Sequence, residues 1–413
     1  SKNQHPIFVN ALRRQFFLSY AVIGSVMPLM TVFLREQGGF DFLQIGLAMS
    51  LMNIPMLCSP ALITLLADRN VDARKILAIA YTCSSIVLSL MYFSNHIGIT
   101  LALFLFHGLS FVAMIPLQDG YFFSFAETIR KRGEPEVEYP QVRVWGTVGF
   151  ILPSLVLFYP LSQGATAASI LPCAVVFCLL SLANSRTLPS VDRPIVSEKK
   201  LPTRDALAAI FSPSARWLSI GLFFGFMAAT TYYAFIGNFL DEVVGIPKRH
   251  IGLIINIGVV LEIGFTIIMP WMQKKIHLKG ILVTGLFCMV VRMFLLAFFP
   301  YAWVAVAVQL CHGLEVLALF VGPVMFLNRL ATDEFRNSIQ GVFTMAVGGV
   351  ARVVGGVTAG FIVSKFGLEG GLIHGARLAT VAFLIITFLF HRIPPSEEQQ
   401  EDEELGVSST DAS

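Results

Sequence analysis

Twelve separate apolar runs, each about as long as a bilayer is thick, leave this chain few ways to fold. Within hydrocarbon a backbone N–H or C=O finds no water, so each run must satisfy its own hydrogen bonds as an α-helix. The runs cover about 14–34, 43–67, 76–94, 98–125, 142–159, 166–185, 215–240, 251–273, 280–299, 301–327, 337–364 and 370–390. Composition agrees: 13% of residues are charged, against roughly 25% in soluble domains. No small-residue cleavage site follows the first run, so it is expected to stay as a span. The expected class is an all-α membrane protein with twelve transmembrane helices.

The runs divide into six, a polar segment, and six. Residues 1–185 form the first bundle and 215–393 the second. Between them, 186–214 carries Pro189, Pro194 and Pro202 with mixed charge and reads as a linker, with a short interfacial helix over 206–211. After Pro394-Pro395 the acidic tail, 394–413, reads as disordered. If the N-terminus is cytoplasmic, 22 of the 29 Lys and Arg residues fall on inner segments. Four (Arg35, Lys248, Arg249, Lys365) fall outside and three (Arg292, Arg352, Arg377) within spans. That bias predicts both termini inside.

Ionisable residues at mid-span cost a few kcal/mol or more in lipid, so each is a functional candidate. His312 and Glu315 lie near the middle of span 10, three residues apart and so on one helix face. Arg292 occupies span 9, Glu262 the middle of span 8, and Arg352 the middle of span 11. Arg352 needs an acid, and Glu262 or Glu315 is the expected partner; lining a water-filled cavity is the alternative. In the first bundle, Asp119 sits in an apolar and aromatic setting near the end of span 4. Arg143, at the start of span 5, is its natural partner, and together they suit a polyol or carboxylate. The competing reading makes Arg143 a helix-end residue facing headgroups. Tyr232 and Tyr233 in span 7 offer hydroxyls beside flat faces, or simply pack. Gly146, Gly149 and the glycines of span 11 read as sites of close helix approach. The six cysteines show no metal-ligand spacing and no disulfide is expected. No nucleophile-plus-base arrangement appears, so an enzyme is not expected.

The loop Asp68-Arg69-Asn70-Val71-Asp72-Ala73-Arg74-Lys75 resembles, with two extra residues and no glycine, the span 2–3 loop of the major facilitator superfamily. In that superfamily the loop latches the two halves, a role the resemblance implies for Asp68, Arg69 and Arg74; an ordinary positive-inside loop is the alternative. Val290-Val291-Arg292 followed by His312-Gly313-Leu314-Glu315 resembles the proton-coupling spans of the lactose-permease branch. Arg143-Val144-Trp145-Gly146-Thr147-Val148-Gly149-Phe150 resembles the same branch's span 5, whose arginine binds sugar. Phe150 stands where that branch has a tryptophan against the sugar ring. Asp119, Tyr232-Tyr233-Ala234-Phe235 and Gly258-Val259-Val260-Leu261-Glu262 are more similar to the phenylpropionate-permease type. Proton-coupled nucleoside symporters share the plan of an arginine in span 5 and a glutamate in span 8.

The resemblance implies two pseudo-symmetric six-helix bundles rocking about a central site, and a solute that is a sugar, a nucleoside or an aromatic acid. It implies proton coupling at Glu315, His312, Arg292 and Glu262, and solute contacts at Asp119, Arg143, Phe150, Tyr232 and Tyr233. The expected partners are a small-molecule solute and the bilayer of a bacterial cytoplasmic membrane, with no nucleic acid. The expected state is a monomer, with no cofactor beyond the proton. Export by proton antiport and a non-transporting sensor are the alternatives.

Overall fold

The computed structural model describes residues 5–58, 72–190, 203–330 and 336–391. Eight helices in it are long and apolar enough to cross a bilayer. Two of these, Lys248–Phe298 and Ile339–Phe388, each join two spans at one non-helical residue: His277 (φ 58°) and Gly367 (φ 75°). With Phe42–Leu57 and Ile97–Lys131, the described residues make up twelve spans.

In chain order these are α1 (Pro6–Glu36), α2 (Phe42–Leu57), α3 (Ala73–Phe93), α4 (Ile97–Lys131), α5 (Tyr139–Ser162) and α6 (Ala167–Ser185). The second six are α7 (Arg216–Val243), α8 (248–276), α9 (278–298), α10 (Ala302–Leu330), α11 (336–366) and α12 (368–388). Several run past the apolar limits that sequence suggests. α1 begins at Pro6 rather than about 14, and α4 continues to Lys131, because a helix does not stop where the hydrocarbon does. The expected loop over 274–280 shrinks to a single break at His277. A short helix, Thr203–Ile210, precedes α7. The tail from 394 and the linker over 191–202 lie outside the described residues.

The first bundle is tied at mid-span by neutral polar groups and near its N-terminal end by two arginines as well. Asn184 on α6 donates to Gln15 Oε1 (2.7 Å) and to the Ala11 carbonyl (3.0 Å) of α1. Arg14 Nε donates to Asn184 Oδ1 at 3.0 Å. On α4, Gln118 donates to Ser19 Oγ (2.9 Å) and accepts from the Tyr81 hydroxyl of α3 (3.1 Å). At the start of α3, Arg74 binds Asp72 (2.7 Å) and donates to the Leu188 carbonyl after α6 (3.2 Å). The hydrogen bonds from Arg74 hold the Asp72 carboxyl below the usual carboxylate range.

The bundles meet mainly toward the end of the molecule remote from the start of α1. There Asn238 of α7 donates to the Thr31 carbonyl (3.2 Å), and Asn256 of α8 to the Ile151 carbonyl (3.2 Å). Arg35 pairs with Glu242 at 3.3 Å, and Glu36 with Lys248. α2 crosses α11 where Ser50 Oγ donates to the Val353 carbonyl at 2.8 Å. A Cβ on Gly360 would fall 2.9 Å from Gly46 Cα, so the small residues of α11 set the closeness of this crossing. Among the described residues, the one cross-bundle hydrogen bond nearer the N-terminal end runs from Arg352 to the Met56 sulfur.

Candidate functional site

The chemistry of the second bundle converges on α10. That helix is not uniform: a tight 3-10 turn at Val308–Cys311 precedes His312–Val316, and a wide π turn follows at Leu317–Val321. The two irregular turns reset the facing of the short α-helical segment that carries His312 and Glu315. π turns of this kind gather at functional sites. α8 lies close against this segment because two contact positions lack side chains. A Cβ on Gly258 would fall 2.9 Å from His312 Cβ, and one on Gly313 would fall 3.1 Å from Glu262 Cα.

Glu315 accepts from Arg292 Nη1 at 2.8 Å, and both side chains are almost fully enclosed, at 5% and 2% exposure. Arg292 Nη2 also donates to Gln309 Oε1 (3.1 Å), which is steadied by its own bond to the Ala305 carbonyl (3.0 Å). The guanidinium lies 4.0 Å from the centre of the Tyr232 ring. Tyr232 meets Tyr233 edge to face. The Tyr233 hydroxyl is 3.2 Å from His312 Nδ1, and His312 Nε2 is 3.3 Å from Glu262 Oε2. A continuous line of contacts therefore runs Glu262, His312, Tyr233, Tyr232, Arg292, Glu315. Three atoms along it, Glu315 Oε1, Arg292 Nε and the Tyr232 hydroxyl, are buried without a hydrogen-bond partner among the described residues.

The arrangement adds partners that the sequence leaves open and departs from expectation at Arg352. His312 and Glu315 share a helix face, yet each takes a different partner, Glu262 and Arg292 respectively. Arg352 pairs with neither acid. Its guanidinium lies over Phe226 (4.7 Å) and Phe320 (5.7 Å), with Met56 Sδ at 3.6 Å. Both acids are already engaged by residues of adjacent helices, and α11 faces α2 and α7 at this level. Tyr232 is also not a free hydroxyl at a surface: it is 2% exposed and its ring braces Arg292.

In the first bundle, Asp119 Oδ1 accepts from the Tyr139 hydroxyl at 2.8 Å. Arg143 is not its bonded partner. One turn along α5 from Tyr139, it lies 4.1 Å from the centre of the Tyr20 ring. Gly146 makes room for this stack, since a Cβ there would fall 2.8 Å from Tyr20 and 2.9 Å from Arg143 Nη1. Phe150 is half-buried two turns beyond Arg143, on the same side of α5. Asp68 and Arg69 lie outside the described residues, and Arg74 is engaged with Asp72 and Leu188.

Sequence reasoning missed Tyr20, Tyr139 and Gln309. Each is a neutral polar side chain at a span position that looks like ordinary packing, and only the rotation of neighbouring helices turns it toward a charge. The aromatic residue one turn before Arg143 was the available signal for Tyr139.

Two bundles of six spans, sealed toward one end around a charged interior, define a secondary active transporter of the major facilitator fold. The sequence model of the MFS_1 like family matches residues 10–370, and the chain belongs to that family. Among curated relatives, YegT of Escherichia coli K12, named as a putative nucleoside transporter, is 26% identical over 355 residues, covering 80% of this chain and 79% of its own. The nucleoside permease NupG of Escherichia coli K12 is 23% identical over 380 residues, covering 86% and 87%. A crystal structure of a point mutant of the nucleoside transporter NupG superposes with a TM-score of 0.82 at 20% identity, covering 93% of this chain and 100% of that one.

Proposed function

We propose that the protein imports nucleosides together with protons across a bacterial cytoplasmic membrane, both termini being cytoplasmic. The solute class rests on relatives named for nucleosides and for xanthosine. The orientation rests on the excess of Lys and Arg on one set of loops. With that orientation, the conformation described is closed to the outside.

The observation that carries proton coupling is the buried Arg292–Glu315 pair. A carboxylate so enclosed is tolerated because a guanidinium bonds it. If Arg292 withdraws in the outward-open state, the apolar surroundings favour the neutral acid, and Glu315 takes a proton. When Arg292 returns, the carboxylate is favoured and the proton leaves to the cytoplasm. The coupling is a difference in contacts between two states. The paired state here corresponds to the proton-released form.

Asp119 and Arg143 hold the solute from the first bundle, with Phe150 against its flat face. Tyr233, His312 and Glu262 face it from the second, and Tyr232 acts through Arg292. Ribose hydroxyls can donate to Asp119 and Glu262, while the base stacks on aromatic faces. This reading needs no cofactor beyond the proton, no catalytic step and no second copy of the chain. Proteoliposomes with an acidic exterior and labelled uridine, adenosine or xanthosine test it. Accumulation that collapses with a protonophore is expected. Accumulation only when the gradient is reversed would instead mark proton-antiport export.

A further inference from the structure

Arg352 is left over by the mechanism above. A guanidinium stays charged at any physiological pH, and this one is held at mid-span by two phenylalanine rings and a thioether. No carboxylate lies within ion-pair distance of it among the described residues. One of its N–H groups is directed at sulfur, a weak acceptor. The residue as a whole is only partly buried, and among the described residues its other nitrogens make no hydrogen bond. Gly348 sits beside it, where a Cβ would fall 3.0 Å from Nη1, and the π turn Thr344–Gly349 leads directly into its helix. Two ring contacts and one thioether hold the guanidinium without satisfying it, and a guanidinium with donors to spare accepts an oxyanion by paired hydrogen bonds.

Its position relative to the solute site follows from the helices. Phe320 is five residues along α10 from Glu315, and Phe226 is seven before Tyr233 on α7. Phe320 is thus eight residues from His312, and at 1.5 Å per residue the cage lies about 10–12 Å from the Tyr233–His312 level, toward the N-terminal end. That separation is of the order of a nucleoside's length.

The charge balance of the interior points the same way. Three guanidinium groups (Arg143, Arg292, Arg352) and three carboxylates (Asp119, Glu262, Glu315) face the interior. The unloaded set is therefore neutral with His312 uncharged. A proton on Glu315 leaves one positive charge in excess, which an anionic solute cancels. A carrier crossing its midpoint with balanced interior charge avoids the cost of an uncompensated ion in low dielectric.

We infer that Arg352 is the anchor for an oxyanion on the transported solute, so that the preferred substrates are nucleoside-like molecules carrying a carboxylate or phosphate. This deepens the nucleoside reading and rests on it and on Glu315 as the proton site. The test titrates purified full-length wild type, Arg352→Gln and Arg352→Lys with uridine, orotidine (its carboxylated counterpart), uridine monophosphate and orotate. Wild type is expected to bind orotidine or the monophosphate at least tenfold tighter than uridine. The ratio should fall tenfold or more in Arg352→Gln and largely survive in Arg352→Lys. Comparing orotidine with the monophosphate decides between carboxylate and phosphate. In proteoliposomes, proton-driven uptake of orotidine should carry no net charge, while uridine should give an inward positive current. Equal or tighter binding of uridine by wild type overturns the inference, as does an anion preference that persists in Arg352→Gln. If no riboside binds but orotate does, and loses affinity in Arg352→Gln, the nucleoside reading fails while the anion anchor stands. If orotate too is indifferent to Arg352, the anchor falls.

Discussion

The two bundles hold their polar interiors together by opposite means. In the first, neutral amides and hydroxyls bond in two sets, Asn184 with Gln15 between α6 and α1, and Gln118 with Ser19 and Tyr81 across α4, α1 and α3. In the second, Arg292 and Glu315 are full charges that depend on each other, with Glu315 Oε1 and Arg292 Nε left without partners among the described residues. A neutral network is indifferent to one proton. An ion pair is not: protonating Glu315 removes one of its two charges and releases Arg292. The amide and hydroxyl network of the first bundle therefore has no proton to lose, whereas the Arg292–Glu315 pair of the second is the element that one proton would change.

The largest effect is expected from breaking the ion pair on one side. Arg292→Ala leaves a buried carboxylate uncompensated, costing about 3–5 kcal/mol unless it takes a proton. Thermal unfolding in detergent should drop sharply, and the Arg292→Ala/Glu315→Ala double variant should recover much of the loss without recovering active uptake. A drop of similar size in the double variant would mean that the pair is not the source.

Next is the contrast itself. Gln118→Ala strips partners from Ser19 and Tyr81, and should cost about 1–3 kcal/mol of stability. Whatever protein folds should keep the wild-type ratio of protons to solute. Uncoupled leakage in that variant would erase the distinction between the bundles.

The half-site at Asp119 should respond more mildly. Tyr139→Phe removes a hydrogen bond to a carboxylate, a change of about 1.5–3 kcal/mol at most, read as weaker solute affinity in a binding titration with gradient-driven accumulation retained. The smallest effect belongs to Tyr233→Phe. Losing its bond to His312 should cost about 0.5–1.5 kcal/mol, visible as a modest rise in half-saturating solute concentration. An unchanged value would remove Tyr233 from the site.

How much of this was legible beforehand depended on what kind of information each feature needs. The span count followed from length and hydropathy alone, and the depth of His312, Glu315, Glu262 and Arg292 followed from the spans. Partner choice did not, because it depends on helix rotation. The pairing of Arg352 with an acid failed for that reason, as did that of Asp119 with Arg143. In each case an aromatic ring stands where a counter-ion was expected. The irregular turns of α10 and α11 leave no mark in an apolar run, yet they set which side chains face inward. Neutral residues such as Tyr20, Tyr139 and Gln309 carry no cost in a membrane large enough to single them out.

The central claim is that Glu315 exchanges the driving proton under control of Arg292. Glu315→Gln, reconstituted in liposomes, tests it most directly, because the amide keeps the shape and an acceptor for Arg292 but cannot cycle a proton. This variant is expected still to exchange labelled solute for unlabelled solute across the membrane, yet to fail to accumulate it under an imposed pH gradient. Uphill, gradient-dependent accumulation by Glu315→Gln would contradict it.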